Sequence, residues 1–210
     1  MLAAAICLAV GSGAPGPPAP SGLVALVEPW AVDSPIVGLR CSGVIVGANE
    51  VLTAAHCLAG DPLLVVMSGS LCEQDRFASA LVDAGTEAAT RSAPGRTDSA
   101  RVSVDVTLER IQGMAPEPAV GPVLVVGFGV RSDLGRPACD ARTYEGRLVR
   151  CASSVPGADW CLESAPGVQL CEGSSGAPVF VRHGAGWAVV GVISGGPPCG
   201  ADGPAVVAVP

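Results

Sequence analysis

"LTAAHCLAG", Leu52 to Gly60, sets one of only two histidines against a cysteine, between small residues and behind an apolar run. A histidine so placed is a packed core residue, a metal ligand or a catalytic base, and the rest of the chain has to decide between them. The segments on either side read as strands. "LVALVEPW" and "PIVGLRCSGVIVG" precede it, and "LLVVMSGS" follows. "RVSVDVTLE" then alternates, with Val102, Val104, Val106 and Leu108 on one face and Ser103, Asp105 and Thr107 on the other. After "MAPEPAVGP" a second strand-rich half contains "VLVVGFGV", "RLVRC", "GAPVFVRHGAGWAVVGVISGG" and "PAVVAV". Two halves of short strands, with no helical stretch of useful length, predict two barrels or sandwiches side by side.

Composition agrees with that reading and removes several functions. The chain has 210 residues, of which 49% are hydrophobic, enough to bury a real core. Its 28 Gly and 19 Pro favour turns over long helices. All 12 basic residues are Arg, set against 19 acidic ones, and the net charge of -7 offers no concentrated basic face for nucleic acid. "MLAAAICLAV" followed by "GSGAPGPPAPSG" reads as a secretory-type apolar segment and a flexible tract, much shorter than the ~20 residues of a membrane span. Removal of that segment with Cys7 leaves Cys41, Cys57, Cys72, Cys139, Cys151, Cys161, Cys171 and Cys199. An even set of this kind belongs to an oxidising compartment, so a secreted or periplasmic location is expected.

A chemical constellation emerges once "CEGSSGAPVF", Cys171 to Phe180, is placed beside His56. A Gly-rich turn lets backbone N–H groups converge on a point, and a serine within it has its hydroxyl beside those donors. Such a serine is suited to attack a carbonyl whose tetrahedral intermediate carries an oxyanion, provided a base accepts its proton. His56 supplies that base, and a carboxylate must then fix its tautomer. Asp105, on the polar face of the alternating strand, is the favoured candidate. Asp98 is the rival, read as a surface carboxylate in the polar loop 85–100.

"LTAAHC", "DVTLE" and "CEGSSGAP", in that order, resemble the three signature blocks of the trypsin/chymotrypsin-like serine proteases, and the resemblance extends from Leu23 to Pro210. It implies an all-β fold of two antiparallel six-stranded β-barrels packed side by side, here without the usual C-terminal helix. The implied layout is a signal-like segment and linker over 1–21, a first barrel over 22–112, a linker over 113–121 and a second barrel over 122–210. The implied activity is that of a secreted serine endopeptidase with His56 as general base, Asp105 as its orienter and Ser175 as nucleophile. Gly173 and Ser175 would form the oxyanion hole, with Ser194, Gly195 and Gly196 along the cleft. The implied disulfides are Cys41–Cys57, Cys171–Cys199 and Cys151–Cys161, which leaves Cys72 to pair with Cys139. The partner is a polypeptide substrate; no cofactor or metal is expected, and a monomer is favoured.

The departures from the family are informative. Many members bury a new N-terminal ammonium against an Asp just before the nucleophile, and here that position is Ser174. "PIVG", Pro35 to Gly38, stands too close to Cys41 to be such a terminus. Activation by amine insertion is therefore not expected, and disulfide bracing is expected to order the oxyanion loop. The pocket floor is read as Gln169, which carries no charge, and Ala205 is placed on a pocket wall. Gly195 stands where an aromatic residue is usual, which lowers one wall, and Gly196 leaves the mouth open. An uncharged, small-to-medium P1 residue follows, unless Asp202 swings into the pocket. Ile193, in place of a histidine, disfavours acidic P1.

Blander readings absorb the other residues. His183 falls in a solvated hairpin turn, and Trp30, Trp160 and Trp187 are read as core or barrel-edge packing. A zinc site built from Cys41, His56 and Cys57 fails on ligand spacing, and Glu73 with Asp75 is too thin a cluster for calcium. The rival from another class is a catalytically silent protein-binding module on the same fold.

Overall fold

The computed structural model describes residues 20–31, 38–59, 65–67, 70–72, 80–83, 98–104, 112–129, 139–164, 170–198, 201 and 203–210. Valine and other apolar residues at alternating positions dictate strands, and the described residues contain twelve of them and no α-helix. The first six are β1 (Leu23–Val27), β2 (Leu39–Gly47), β3 (Glu50–Ala54), β4 (Val65–Met67), β5 (Ala80–Asp83) and β6 (Ser99–Val104). They close into an antiparallel barrel in the order β1-β2-β3-β6-β5-β4. The second six are β7 (Gly121–Gly127), β8 (Arg142–Arg150), β9 (Trp160–Ser164), β10 (Pro178–His183), β11 (Gly186–Gly195) and β12 (Ala205–Ala208). Their order is β10-β11-β12-β9-β8-β7, again a closed barrel. The expected two-barrel fold is thus the observed one, and closure leaves neither sheet with an open edge. β5 and β9 went unrecognised in the sequence, because each is short and lacks a clear alternation of its own.

Each barrel has its own apolar filling. Val24, Leu26, Ile45, Val51, Val102 and Val104 occupy the first, and Val123, Val125, Leu148, Leu162, Val179 and Val207 the second. A third cluster joins them. Val44 and Leu52 from the first barrel meet Val126, Phe180, Val189 and Val192 from the second. Period-two geometry explains this division of labour. On β2, Cys41 and Ile45 point into the first core while Val44 faces the other barrel. On β11, Ile193 points into the second core while Val192 faces back across the seam. Ser42 and Ser194 share the parity of these seam residues, so two hydroxyls are delivered into an otherwise apolar contact.

The connection between barrels is not slack. Met114 bridges Val189 in parallel, Ala115 N–H donates to Val189 O at 2.7 Å, and Val189 N–H donates to Gly113 O at 2.9 Å. Disulfides join Cys41 to Cys57, Cys72 to Cys139 and Cys151 to Cys161, and the second of these ties the first barrel's β4–β5 side to the segment entering β8. Cys171 is also disulfide-bonded, while Cys199 lies outside the described residues. Trp160 is buried in the second core with the Arg150 guanidinium stacked 4.0 Å from its ring. Trp187 is similarly covered by Arg182. Trp30 corrects its expectation: it is 71% exposed, carried outward on the short 3-10 turn Pro29–Ala31 instead of packing in a core. His183 is exposed at the β10–β11 hairpin, as its flanking glycines indicate.

Phe180 is fully buried where the two barrels meet. Truncation in Phe180→Ala is expected to cost about 3–5 kcal/mol, as deletion of a core ring does. Guanidinium unfolding followed by tryptophan fluorescence measures this, and both barrels should be lost in one transition.

Candidate active site

His56 sits in the 3-10 turn Ala55–Leu58, which caps β3 where the strand runs off the end of the first barrel. The Cys41–Cys57 disulfide binds this turn to β2, and the Arg40 guanidinium reaches the Ala59 carbonyl at the end of the turn. The imidazole is half-buried. Cys41, His56 and Cys57 do cluster as metal ligands would, but both sulfurs are spent in the disulfide and offer no thiolate.

The carboxylate at this histidine belongs to Asp98. Its Oδ1 accepts from the His56 backbone N–H at 2.8 Å, and its Oδ2 lies 2.7 Å from His56 Nδ1. Oδ2 also accepts from Ser194 Oγ at 2.6 Å. Asp98 is 0% exposed, so its charge is carried by three short donors in place of water. With Nδ1–H donating to the carboxylate, the ring's other nitrogen, Nε2, is the lone-pair site.

Asp98 is therefore buried at the histidine and is not the surface loop carboxylate expected of it, while Asp105, the favoured candidate, lies outside the described residues. The reason is strand parity. Along β6 the buried positions are Ala100, Val102 and Val104, and the even series leads back to Asp98. Asp105 belongs to the odd series of Ser99, Arg101 and Ser103, which are half-buried or exposed. Pairing of Ala54 with Ser99, and donation by Ala55 N–H to Asp98 O at 3.1 Å, then bring Asp98 alongside the histidine turn. An acidic residue in the inward phase, one step before the strand, was the legible signal.

The serine turn comes from the second barrel. Gly173 and Gly176 have φ of +85° and +75°, left-handed values that only glycine adopts without strain. The turn is stitched by Ser174 N–H to Cys171 O (3.0 Å), Gly176 N–H to Ile193 O (2.7 Å) and Ala177 N–H to Ser174 O (2.9 Å). Ser175 stands at its half-exposed apex. Its carbonyl accepts from Ser42 N–H at 2.7 Å, a bond across the seam. Gly176 presses against Ser42, Thr53 and Ala54, the last only two residues before His56. Among the described residues, the N–H groups of Gly173 and Ser175 have no acceptor.

The remaining site residues divide in two. Ser194 is buried and its hydroxyl donates to Asp98 Oδ2. Gly195 pairs with Val206, and Gly196 is exposed beyond it; a Cβ on Gly196 would lie 3.6 Å from Ala205. Ser194 to Gly196 therefore continues past the start of β10 at Pro178, beside the serine turn. Gln169 and Asp202 lie outside the described residues. Ser174 is buried, and its hydroxyl, without a hydrogen-bond partner among the described residues, fills the space that a side chain at Gly129 would need.

Comparison with known proteins agrees with this architecture. A family model described as Trypsin matches residues 22–210. Among solved structures, neuropsin, a serine protease expressed in the limbic system of mouse brain, superposes with a TM-score of 0.71 at 24% identity. That match covers 91% of this chain and 90% of the neuropsin chain. No curated protein sequence matches significantly.

A methyl group at Gly176 would overlap the Ser42 carbonyl and the Thr53 hydroxyl, and would demand a left-handed backbone from alanine. Gly176→Ala is expected to destabilise by about 2–5 kcal/mol, adding a left-handed penalty to overpacking. Thermal unfolding by circular dichroism checks it.

Proposed function

Because this chain belongs to the trypsin family and is a serine-type endopeptidase, we propose that Ser175, His56 and Asp98 are its catalytic triad, that it acts outside the cytoplasm, and that it prefers an uncharged, small-to-medium P1 residue. The observation that carries the triad is the short bond from His56 Nδ1 to a fully buried carboxylate. It leaves Nε2 as base at the end of the barrel against which the serine turn packs.

The chemistry follows from these positions. His56 Nε2 takes the Ser175 hydroxyl proton as Oγ attacks the scissile carbonyl carbon. The developing oxyanion accepts from the Gly173 and Ser175 N–H groups, which are not consumed by the turn's own bonds. The imidazolium, balanced by Asp98, then gives its proton to the leaving amine as the C–N bond breaks. Water repeats the sequence on the acyl-enzyme and restores Ser175. Asp98 stays ionised throughout; its work is to hold the tautomer and offset the transient charge. Substrate backbone is held as an added strand along Ser194 to Gly196, where β11 outruns β10.

The glycines at 195 and 196 and the small Ala205, 3.6 Å from where a Cβ on Gly196 would lie, support the P1 reading. Export is supported by the apolar N-terminal segment and by the disulfides, which persist in oxidising compartments.

A fluorophosphonate probe should label the oxidised chain, and Ser175→Ala should abolish that label; an unlabelled, correctly folded parent would favour the silent binding module. Asp98→Asn is expected to lower kcat by about a thousand- to ten-thousandfold, the scale that amidation of this carboxylate has in triad enzymes. Asp105→Asn should leave kcat within about twofold, and the reverse ranking returns the role to Asp105. Cleavage of a peptide library reads P1, and a dominant Arg, Lys or Glu there would overturn the pocket assignment.

A further inference from the structure

Ser42 is a buried serine on β2, in the barrel opposite the nucleophile, and each of its polar atoms is engaged. Its N–H donates to Ser175 O at 2.7 Å, and its carbonyl accepts from Thr53 Oγ1 at 2.8 Å. Its hydroxyl donates to Gly173 O at 2.8 Å and accepts from Phe128 N–H at 3.0 Å. We propose that Ser42 is the positioning residue that sets the oxyanion hole, by clamping the serine turn from across the seam. This rests on the triad and oxyanion reading above.

Peptide planes make the argument. The plane between Gly173 and Ser174 is held at both ends, its carbonyl by Ser42 Oγ and its N–H by Cys171 O. The plane between Ser175 and Gly176 is likewise held at both ends, its carbonyl by Ser42 N–H and its N–H by Ile193 O. The Ser175 N–H lies on the plane between these two, whose carbonyl accepts from Ala177 N–H at 2.9 Å, so its direction is set by that bond together with the two clamped neighbours. The Gly173 N–H is separated from the first clamped plane by φ and ψ of Gly173, two rotations that glycine leaves soft. Without the Ser42 hydroxyl, the plane between Gly173 and Ser174 keeps a single anchor, and the Gly173 N–H loses its aim while the Ser175 N–H keeps the bond from Ala177 N–H to Ser174 O.

Two further observations place the duty on this hydroxyl. Within the turn, Ser174 Oγ is buried without a partner among the described residues, so the side chain next to the nucleophile contributes no bond to the loop's order. The approach of Ser42 is also built in. A Cβ at Gly127 would come within 3.1 Å of Ser42 Oγ and 2.8 Å of Ala177 Cβ, so the glycine is what lets the hydroxyl reach both the turn and Phe128 N–H.

The test compares the full oxidised chain with Ser42→Ala and Ser42→Cys, on a peptidyl p-nitroanilide with alanine at P1 and on the matching trifluoromethyl ketone. Ser42→Ala should lower kcat by about ten- to hundredfold, short of the hundred- to thousandfold of losing a donor outright. KM should stay within about threefold, and the ketone, whose adduct places an oxyanion in the hole, should weaken in parallel with kcat/KM. Ser42→Cys, retaining a weaker donor, should fall between the two. A folded Ser42→Ala with unchanged kcat overturns the proposal, as does a change confined to KM. Should Ser42→Ala not fold, Ser42→Cys decides alone: reduced kcat at constant KM supports the clamp, and parental kcat overturns it. A parent chain that neither cleaves the anilide nor takes a fluorophosphonate overturns the triad reading itself, and this inference with it.

Discussion

A carboxylate sealed at the seam between two barrels is the constraint around which this molecule is arranged. Asp98 has no exposed surface, and an ionised group taken out of water is tolerated only when fixed dipoles replace its hydration. Here the replacements come from both sides. His56 supplies two donors from the first barrel, and Ser194 supplies the third from the second. If the barrels separated, the Ser194 bond would be lost and water would enter. The seam and the orientation of the imidazole are therefore held by one and the same set of bonds, and the Phe180 cluster beside them supplies the apolar area that keeps the barrels together.

Strand alternation delivers the polar residues to that seam. Ser42 follows the parity of Val44, and Ser194 that of Val192, so each hydroxyl arrives on a face whose neighbours are apolar. A hydroxyl there would be costly without a partner. Both have one in the opposite barrel, and both partners belong to the reactive site: Gly173 O for Ser42 and Asp98 for Ser194. Hydrogen bonds across the seam thus do what apolar packing cannot, fixing distance and direction at once. The disulfides act one level further out, as with Cys41–Cys57 holding the histidine turn on β2. The turn carrying Ser175 takes its described order from hydrogen bonds to Ser42 and Ile193 and not from sulfur alone, which amends the expectation that disulfide bracing orders it.

Much of this was legible in the sequence, and the exceptions share a cause. The two-barrel class followed from short alternating segments in two halves, and ordered blocks marked the histidine turn and the serine turn. What was harder to read was phase. "RVSVDVTLE" presents a polar residue at every second position, and Asp105 looked like the carboxylate on the functional face. Along the described strand the odd positions Ser99, Arg101 and Ser103 are half-buried or exposed, and the buried even series runs back to Asp98 beside His56. Asp98 was discounted because the residues before it are polar and turn-rich, whereas its own parity already matched Val102 and Val104. Ser42 left no mark at all. A serine between Cys41 and Gly43 gains its meaning from Gly173, 131 positions away along the chain, and no local pattern encodes such a pairing.

The choice of a hydroxyl as clamp has a physical consequence for how the site is held. An ion pair in the same place would carry desolvation costs on two charges, and its strength would change with the protonation of either. A serine bonded to a carbonyl and a backbone N–H carries no net charge, so its hold on Gly173 does not vary with protonation. It also needs little room: Ser174 and Ser42 both fit beside glycines, at Gly129 and Gly127, where longer polar side chains would displace the backbone. The contacts that Ser42 makes to the serine turn are in this way neutral dipoles, unlike the bond between His56 and Asp98. In the reading proposed above, such neutral clamps would aim the Gly173 and Ser175 N–H groups before substrate arrives, so that little reorganisation is left for the transition state.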